Sequence, residues 1–159
     1  MKTDIIIIGS GPGGYRTASY ALQQGKQVVI IEKAEAGGTC LNSGCIPTKC
    51  LAHDAEVNAS DFPAAAERKR NVMDQLRQGI EQLLAAPGIT FVRGEASFKD
   101  ARTVIVNGEE YEADDIIIAT GSSSKMPPVE GIDNPRVITS TEALDFQSLP
   151  SEIVIIGAG

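Results

Sequence analysis

The sequence predicts an α/β fold in which helices cover a mainly parallel sheet. Two continuous runs of β-branched residues, at positions 5–8 and 28–31, are typical of strands buried on both faces. A glycine-rich turn and a segment with helical spacing lie between them. A strand, turn, helix and second strand within about thirty residues form a right-handed crossover unit. The pattern therefore predicts a doubly wound sheet.

Three helices are predicted from capping signals and apolar spacing. The first covers residues 15–24, after Pro12, which is tolerated in a first helical turn, and before Gly25, which ends a helix. The second covers residues 51–57. Apolar residues at spacings of three and four predict a longer third helix over residues 63–86.

Further strands follow the third helix, and we predict them over residues 90–98, 103–106, 116–118 and 153–156. The dipeptide Asn107-Gly108 stands directly after the second of these segments. Asn-Gly is a strong signal for a tight turn between antiparallel strands. The parallel sheet is therefore expected to carry an added antiparallel β-hairpin segment.

Composition excludes several classes of function. The chain has 159 residues, a net charge of −7 and a sequence pI near 4.7, so it should repel polyanions such as nucleic acid and anionic membranes. It contains no apolar run near the roughly 18 residues that a membrane span needs. Three cysteines are too few for a disulfide scaffold. We expect a cytoplasmic protein with no nucleic-acid or membrane partner.

A glycine motif follows the first predicted strand. It fits G-x-G-x-x-G and consists of Gly9, Ser10, Gly11, Pro12, Gly13 and Gly14. Such a turn brings a pyrophosphate to a helix N-terminus. Glu32 stands 18 positions after Gly14, at the end of the second strand, where a carboxylate can accept both hydroxyls of an adenosine ribose. The pattern predicts a Rossmann-like dinucleotide site. A glycine turn without a ligand and a plain surface charge at Glu32 remain the alternatives.

Two cysteines form a second motif. Cys40 and Cys45 are separated by four residues, and Gly44 relaxes the backbone enough for the two sulfurs to meet. A helix that begins just after Gly44 would favour a thiolate at the second sulfur. A zinc site would need two more ligands, for which Cys50 and His53 are the candidates. No second close cysteine pair exists, and we predict no metal site.

Residues 37–49 resemble the redox-active disulfide signature of the class I pyridine nucleotide-disulfide oxidoreductases, which include dihydrolipoyl dehydrogenase, glutathione reductase and mercuric reductase. The N-terminal glycine motif, residues 119–121 and residues 157–159 extend the resemblance over nearly the whole chain. The resemblance implies that the first glycine motif binds FAD and the second binds NAD(P)H. It also implies that electrons pass from nicotinamide through flavin to the disulfide, in a homodimer.

The resemblance also implies roles for single residues. Cys40 matches the interchange cysteine that attacks substrate and reacts first with alkylating agents. Cys45 matches the charge-transfer cysteine beside the flavin, and Lys49 matches a lysine near flavin N5. Cys50 is expected to be a packed thiol, since it lies a full helical turn past Cys45. His53 is expected to be a helix-surface residue, since the catalytic histidine of the family lies near the far end of the full chain.

The predicted site residues fall into two groups. The catalytic group is Cys40, Cys45 and Lys49. Besides these three, the predicted FAD-binding residues are the six residues of the glycine motif, Glu32, Lys33, Gly38, Thr39, Ala96, Ala119, Thr120 and Gly121.

The two ends of the sequence resemble each other, since residues 4–11 and 152–159 each place an apolar run before a Gly-x-Gly turn. We therefore expect residues 1–150 to form the FAD-binding domain. Residues 151–159 are expected to be the first strand and glycine turn of a truncated NAD(P)-binding domain. On this interpretation the chain is the N-terminal fragment of a longer protein.

The residues around the cysteines bear on the member of the family. Leu41, Asn42 and Ile46 favour dihydrolipoyl dehydrogenase, which acts on a lipoyl disulfide, over glutathione reductase. Thr48 departs from that pattern. Thr48-Lys49, followed by Leu51 and His53-Asp54-Ala55, resembles the flavoprotein reductases of the reactive-chlorine response, a subgroup related to mercuric reductase. The substrate is thus expected to be a lipoyl or small-molecule disulfide. A non-catalytic FAD module that senses redox state, and a flavoprotein oxidase or monooxygenase, are the alternatives from other classes.

Overall fold

The computed structural model describes residues 1–57 and 61–157. Its strands are β1 (Lys2–Ile8), β2 (Val28–Glu32), β3 (Ile89–Arg93), β4 (Ser97–Phe98), β5 (Thr103–Val106) and β6 (Glu109–Ile118). Its helices are α1 (Pro12–Gln23), α2 (Gly38–Asn42), α3 (Cys45–Val57), α4 (Phe62–Leu84) and α5 (Ser140–Ala143). The strands form one sheet in the order β3-β2-β1-β6-β5-β4.

Four strands of the sheet are parallel, as the sequence predicts. β1 lies between β2 and β6, and β3 extends the sheet beyond β2. Ile7 pairs with Ile30 on one side and with Ile117 on the other. Residues 28–31 are all buried, as expected for a central strand covered on both faces. The predicted α/β fold is confirmed.

Strand β6 belongs to both the parallel and the antiparallel part of the sheet. Its first residues pair with β5, from Glu109 opposite Val106 to Glu112 opposite Thr103, and β4 pairs antiparallel with β5. From Glu112 onwards β6 pairs in parallel with β1. Asn107 (φ 53°) and Gly108 (φ 84°) make the turn between β5 and β6, so the predicted tight turn is confirmed.

The sheet has an apolar core on each face. On one face Ile7 and Ile30 pack with helix residues such as Ala18 of α1 and Leu84 of α4. On the other face Ile6, Val29 and Ile31 pack with Val104 and Val106 of the antiparallel strands. The side chains of successive strand residues point to opposite faces, so each core takes alternate positions of β1 and β2. The antiparallel strands therefore cover the face that the helices leave open.

Three predicted element boundaries were wrong. Residues 90–98 are not one strand, because the chain leaves β3 at Arg93, whose carbonyl accepts a hydrogen bond of 2.8 Å from the Asn107 amide, and enters β4 only at Ser97. The strand predicted over residues 116–118 is the end of the ten-residue β6. The helix predicted over residues 51–57 begins already at Cys45.

The strand predicted over residues 153–156 is not formed. These residues are exposed, with Val154 at 87% and Ile156 at 80%, and none of the strands within residues 1–57 and 61–157 pairs with them. A strand forms only where its backbone N–H and C=O groups find partners. Residues 158 and 159 of the second glycine turn lie outside the described residues. The assignment of residues 151–159 to a second domain stays a prediction.

None of the helices among the described residues combines the length and the apolar character that crossing a bilayer requires.

Candidate functional site

A cavity of about 780 Å³ opens at the carboxyl ends of β1, β2 and β6. This size suits an organic ligand, since pockets for such ligands measure roughly 300–1,000 Å³. In open α/β sheets ligands bind at this edge, where turns between strands and helices meet. Most of the predicted cofactor-binding residues line the cavity: Gly9, Gly11, Pro12, Gly13, Glu32, Lys33, Gly38, Thr39, Cys40, Ala96, Ala119, Thr120 and Gly121.

The glycine motif shapes the turn between β1 and α1. Gly14 packs directly on the turn, and a Cβ at this position would lie only 1.8 Å from the Gly9 carbonyl oxygen. Helix α1 begins at Pro12, and no side chain caps its N-terminus at Gly11. Amide N–H groups at an uncapped helix N-terminus attract an anion. The cavity beside Gly11 and Gly13 therefore fits the diphosphate of a dinucleotide.

The carboxylate of Glu32 is held in place by three hydrogen bonds. Its Oε2 atom accepts from the Ser10 backbone N–H (2.8 Å) and from the Ser10 hydroxyl (2.9 Å). Its Oε1 atom accepts from the Ala34 N–H at 2.9 Å. A carboxylate has about four lone-pair sites, so an oriented Glu32 keeps the capacity to accept a further donor. Ser10 itself is fully buried and lies behind the cavity wall.

An ion pair stands beside Glu32 at the same end of the cavity. The Lys33 ammonium lies 2.9 Å from the Glu95 carboxylate, and both residues line the cavity. The hydrogen bond from Lys33 to Glu95 raises the pKa of Lys33, and the charge of Glu95 acts in the same direction. Both side chains are exposed, so the pair contributes little to stability. Ala96, the predicted adenine contact, follows Glu95 in the wall.

The turn before α2 packs against the glycine motif. The Gly37 N–H donates a hydrogen bond of 3.1 Å to the Ser10 carbonyl. Gly38 has a φ of 61°, and a Cβ there would lie 2.6 Å from the Cα atom of Gly11. Only glycine accepts both this backbone conformation and this approach without strain. The contact places Cys40, two residues after Gly38, in the wall of the same cavity.

The two cysteines lie on neighbouring helices. Cys40 is in α2, and Cys45 is the first residue of α3, so the predicted helix start after Gly44 is confirmed. Both are free thiols. A hydrogen bond with the Cys45 side chain raises the pKa of Cys40, and burial acts in the same direction. The ionisation of Cys40 therefore depends on Cys45, as expected for two thiols on adjacent helices.

The exposure of the two thiols is the reverse of the expectation. Cys45 is exposed and Cys40 is half-buried. Cys45 and Lys49, both predicted as cofactor contacts, do not line the cavity, and Lys49 is exposed one helical turn after Cys45.

Two other predicted residues, Ser10 and Gly14, also lie outside the cavity lining because they support the turn from behind. His53 is exposed on α3, and Cys50 is half-buried, as expected. Sequence reasoning missed Asn42 and Glu95 as lining residues. Asn42 lies within the cysteine motif, and Glu95 directly precedes Ala96. Their closeness in sequence to predicted site residues was the signal that could have indicated that they line the cavity.

The chain matches, over residues 3–159, the family described as pyridine nucleotide-disulphide oxidoreductase. It is 40% identical to a dihydrolipoyl dehydrogenase of Bacillus subtilis over 98% of its length, and 39% identical to dihydrolipoyl dehydrogenase 3 of Haloarcula marismortui over 99%. It is 34% identical to a mercuric reductase of Staphylococcus aureus over 98%. The chain spans only 39%, 38% and 32% of these relatives, respectively.

Two solved structures of one bacterial protein are similar to the fold. The HOCl-induced flavoprotein disulfide reductase RclA from Escherichia coli superposes with a TM-score of 0.87 at 39% sequence identity, covering 92% of this chain and 35% of that one. A Cu(II) complex of RclA gives a TM-score of 0.88 at 37% identity, covering 94% of this chain and 36% of that one.

Replacing Cys45 should change the reactivity of Cys40. The Cys45 side chain stabilises the protonated form of Cys40, so Cys45→Ala should lower the pKa of Cys40 towards its ordinary value. Alkylation of Cys40 by iodoacetamide, followed by mass spectrometry between pH 7 and 10, should then show its half-maximal rate at lower pH. Cys50→Ala is the matched control and should leave the profile unchanged. A shift to higher pH would contradict the coupling of the two thiols.

Proposed function

Because this chain belongs to the pyridine nucleotide-disulphide oxidoreductase family, we propose that it binds FAD in the cavity at the carboxyl ends of the strands. We further propose that in the whole protein electrons pass between NAD(P)H, the flavin and the Cys40–Cys45 pair. The observation that carries the proposal is the backbone contact between the glycine turn and the cysteine-bearing turn. This contact brings a dinucleotide-type cavity and a dithiol pair to one place.

The cavity offers partners for the diphosphate and for the adenosine of the dinucleotide. The N-terminus of α1 binds the diphosphate, where the amides and the helix dipole favour negative charge. The Glu32 carboxylate accepts the ribose hydroxyls of the adenosine, and the wall at Ala96 contacts the adenine. Thr120 and Gly121, after β6, close the diphosphate side. When bound, FAD supplies a carrier that takes two electrons from a nicotinamide.

The cysteine pair is the site of disulfide chemistry. A disulfide between Cys40 and Cys45 that takes up two electrons and two protons becomes the two thiols present in the structure. Cys45 is the first residue of α3, and Lys49 follows it one helical turn later. Cys40 is assigned the exchange with substrate and Cys45 the contact with flavin. The exposure of Cys45 marks the side of the pair on which we place the isoalloxazine ring.

We propose dihydrolipoyl dehydrogenase as the activity of the whole protein, with a lipoyl or other small-molecule disulfide as substrate. The dihydrolipoyl dehydrogenases among the relatives, at up to 40% identity, support it, as do Leu41, Asn42 and Ile46 beside the cysteines. A reductase of the mercuric or reactive-chlorine-response type is the second candidate. The mercuric reductase relative and the likeness to RclA favour it.

The remaining assignments concern the whole protein. We propose that residues 151–159 begin an NAD(P)-binding domain, that the protein is a cytoplasmic homodimer, and that its catalytic histidine lies outside this chain. The support is the resemblance between residues 4–11 and 152–159, together with the similarity to relatives that are more than twice as long.

Removal of the Glu32 carboxylate should weaken flavin binding. Glu32→Ala removes an oriented acceptor of ribose hydroxyls, and a hydrogen bond to a charged group contributes roughly 1.5–3 kcal/mol. We expect the dissociation constant for FAD, measured by flavin fluorescence, to rise by about tenfold or more. Glu67→Ala changes an exposed glutamate of α4 and should leave the constant unaltered. If the wild type and Glu32→Ala bind FAD with equal affinity, Glu32 does not bind the ribose hydroxyls.

Serine substitutions should separate the roles of the two cysteines in the holoenzyme. Cys40→Ser should keep a long-wavelength charge-transfer absorbance after reduction but lose disulfide reductase activity. Cys45→Ser should lose both, because it removes the sulfur assigned to the flavin contact. Both variants should still accept hydride from NADH, since the hydride passes to flavin and not to sulfur.

The control for these variants is Cys50→Ser, which should behave as the wild type in both measurements. If Cys40→Ser loses the absorbance while Cys45→Ser retains it, the two roles are reversed. If neither variant affects disulfide reduction, the pair is structural and the proposed enzyme is wrong. A non-catalytic redox-sensing module would bind flavin but show no NADH-dependent turnover.

The choice of acceptor should follow from parallel assays of NADH oxidation by the holoenzyme. A dihydrolipoyl dehydrogenase should reduce lipoamide at least about tenfold faster than it reduces Hg(II) or Cu(II). An enzyme discriminates between substrates by the ratio of their kcat/KM values, and this ratio reflects how well the site binds each transition state. The reverse order would favour the second candidate. In each assay, the rate of NADH oxidation by Cys40→Ser measures the part of the reduction that does not depend on the Cys40 thiol.

A further inference from the structure

Arg77 of α4 reaches across to the last residue of the cysteine-bearing helix. Its Nε and Nη2 atoms donate hydrogen bonds of 3.1 and 2.9 Å to the amide oxygen of Asn42. The Nη1 atom of Arg77 lies 2.9 Å from the Asp74 carboxylate, one turn earlier on α4. The Arg77 side chain is only 24% exposed. The two hydrogen bonds to Asn42 connect α4 to α2, and the planar guanidinium suits two bonds to one oxygen.

Asn42 transmits this connection to the turn before Cys40. Its amide nitrogen donates to the carbonyls of Ala36 and Gly38, both at 3.0 Å. Gly38 is the first residue of α2 and packs against Gly11 of the glycine motif. The side chain of Asn42, at the end of α2, therefore binds backbone carbonyls at the start of the same short helix, which carries Cys40. Arg77 holds the oxygen of that amide, which leaves its nitrogen directed towards the two carbonyls.

We propose that Arg77 is a positioning residue for the Cys40–Cys45 pair and acts through Asn42. This inference rests on the proposed function, because it assigns Arg77 to the redox use of the pair. Helix α2 has only five residues and cannot hold its own orientation by backbone hydrogen bonds alone. Arg77 and Asn42 supply that orientation from α4, the longest helix among the described residues. Arg77 does not line the cavity, so its effect reaches the sulfurs through α2.

Positioning acts on the equilibrium between dithiol and disulfide. Two thiols held on a fixed scaffold have a high effective concentration towards each other, and loosening the position of either one lowers it. Loss of Arg77 should therefore disfavour the disulfide and make the half-buried Cys40 more accessible. A purely structural role in the packing of α4 would change stability without changing this equilibrium.

The test is a redox titration of the purified protein in a Cys50→Ser background with mixtures of reduced and oxidised glutathione. In this reaction two protein thiols become one disulfide, and one oxidised glutathione becomes two reduced glutathiones that carry the released protons. Mass spectrometry after alkylation counts the disulfide. Arg77→Ala should lower its formation constant by about threefold or more and speed alkylation of Cys40 relative to Cys45.

Two variants make the comparison specific. Asp74→Ala removes the partner of Arg77 on α4 but keeps the Asn42 contact, and it should leave the constant unchanged. Arg77→Lys keeps the charge but offers no planar fork, so its constant should lie between those of Arg77→Ala and the unsubstituted protein. Circular dichroism checks that each variant is folded. If Arg77→Ala does not fold, the disulfide formation constants of Arg77→Lys and Asp74→Ala are compared instead, and that of Arg77→Lys should be the lower.

The outcomes separate this inference from the proposed function. Equal constants in Arg77→Ala and the unsubstituted protein would overturn the positioning role and leave the proposed function intact. If the unsubstituted protein forms no Cys40–Cys45 disulfide in any mixture, the proposed function fails and the positioning role fails with it. A lowered constant that Arg77→Lys partly restores supports the assignment.

Discussion

The hydrogen bond from the Gly37 N–H to the Ser10 carbonyl joins the two halves of the candidate site. Ser10 belongs to the turn that starts the first helix, and Gly37 belongs to the turn that leads to the first cysteine. The same serine holds Glu32 through its N–H and its hydroxyl. One buried residue of the glycine motif therefore fixes the Glu32 carboxylate, the glycine turn and the cysteine turn relative to each other.

Sequence patterns predicted the parts of the fold that local rules determine. The buried runs of β1 and β2 and the Asn107-Gly108 turn depend on residues that are neighbours in sequence, and all three were confirmed. The strand predicted over residues 90–98 ends at Arg93, whose carbonyl accepts a hydrogen bond from the Asn107 side chain, 14 positions further along the chain. A local sequence pattern does not predict which strand will pair with a segment, because the pairing partner is distant in sequence.

The site shows the same division between local and long-range information. The glycine motif was predicted from spacing, because it consists of a few successive residues. The contact between Arg77 and Asn42 joins positions 35 residues apart, and no motif marks it. The relative exposure of the thiols was predicted in the wrong order because burial of Cys40 depends on the packing of α2 against the glycine turn.

The position of β6 in the sheet constrains the order in which the chain can fold during its synthesis. Ile5 of β1 pairs with Asp115, which leaves the ribosome 110 residues later. At about 5–20 residues per second, the first strand waits roughly 5 to 20 s for this partner. Until then one edge of a very apolar strand has no neighbour, and an unpaired strand edge is a place where chains aggregate. Pairing with β6 removes this free edge of β1, so its exposure is confined to the interval before Asp115 is synthesised.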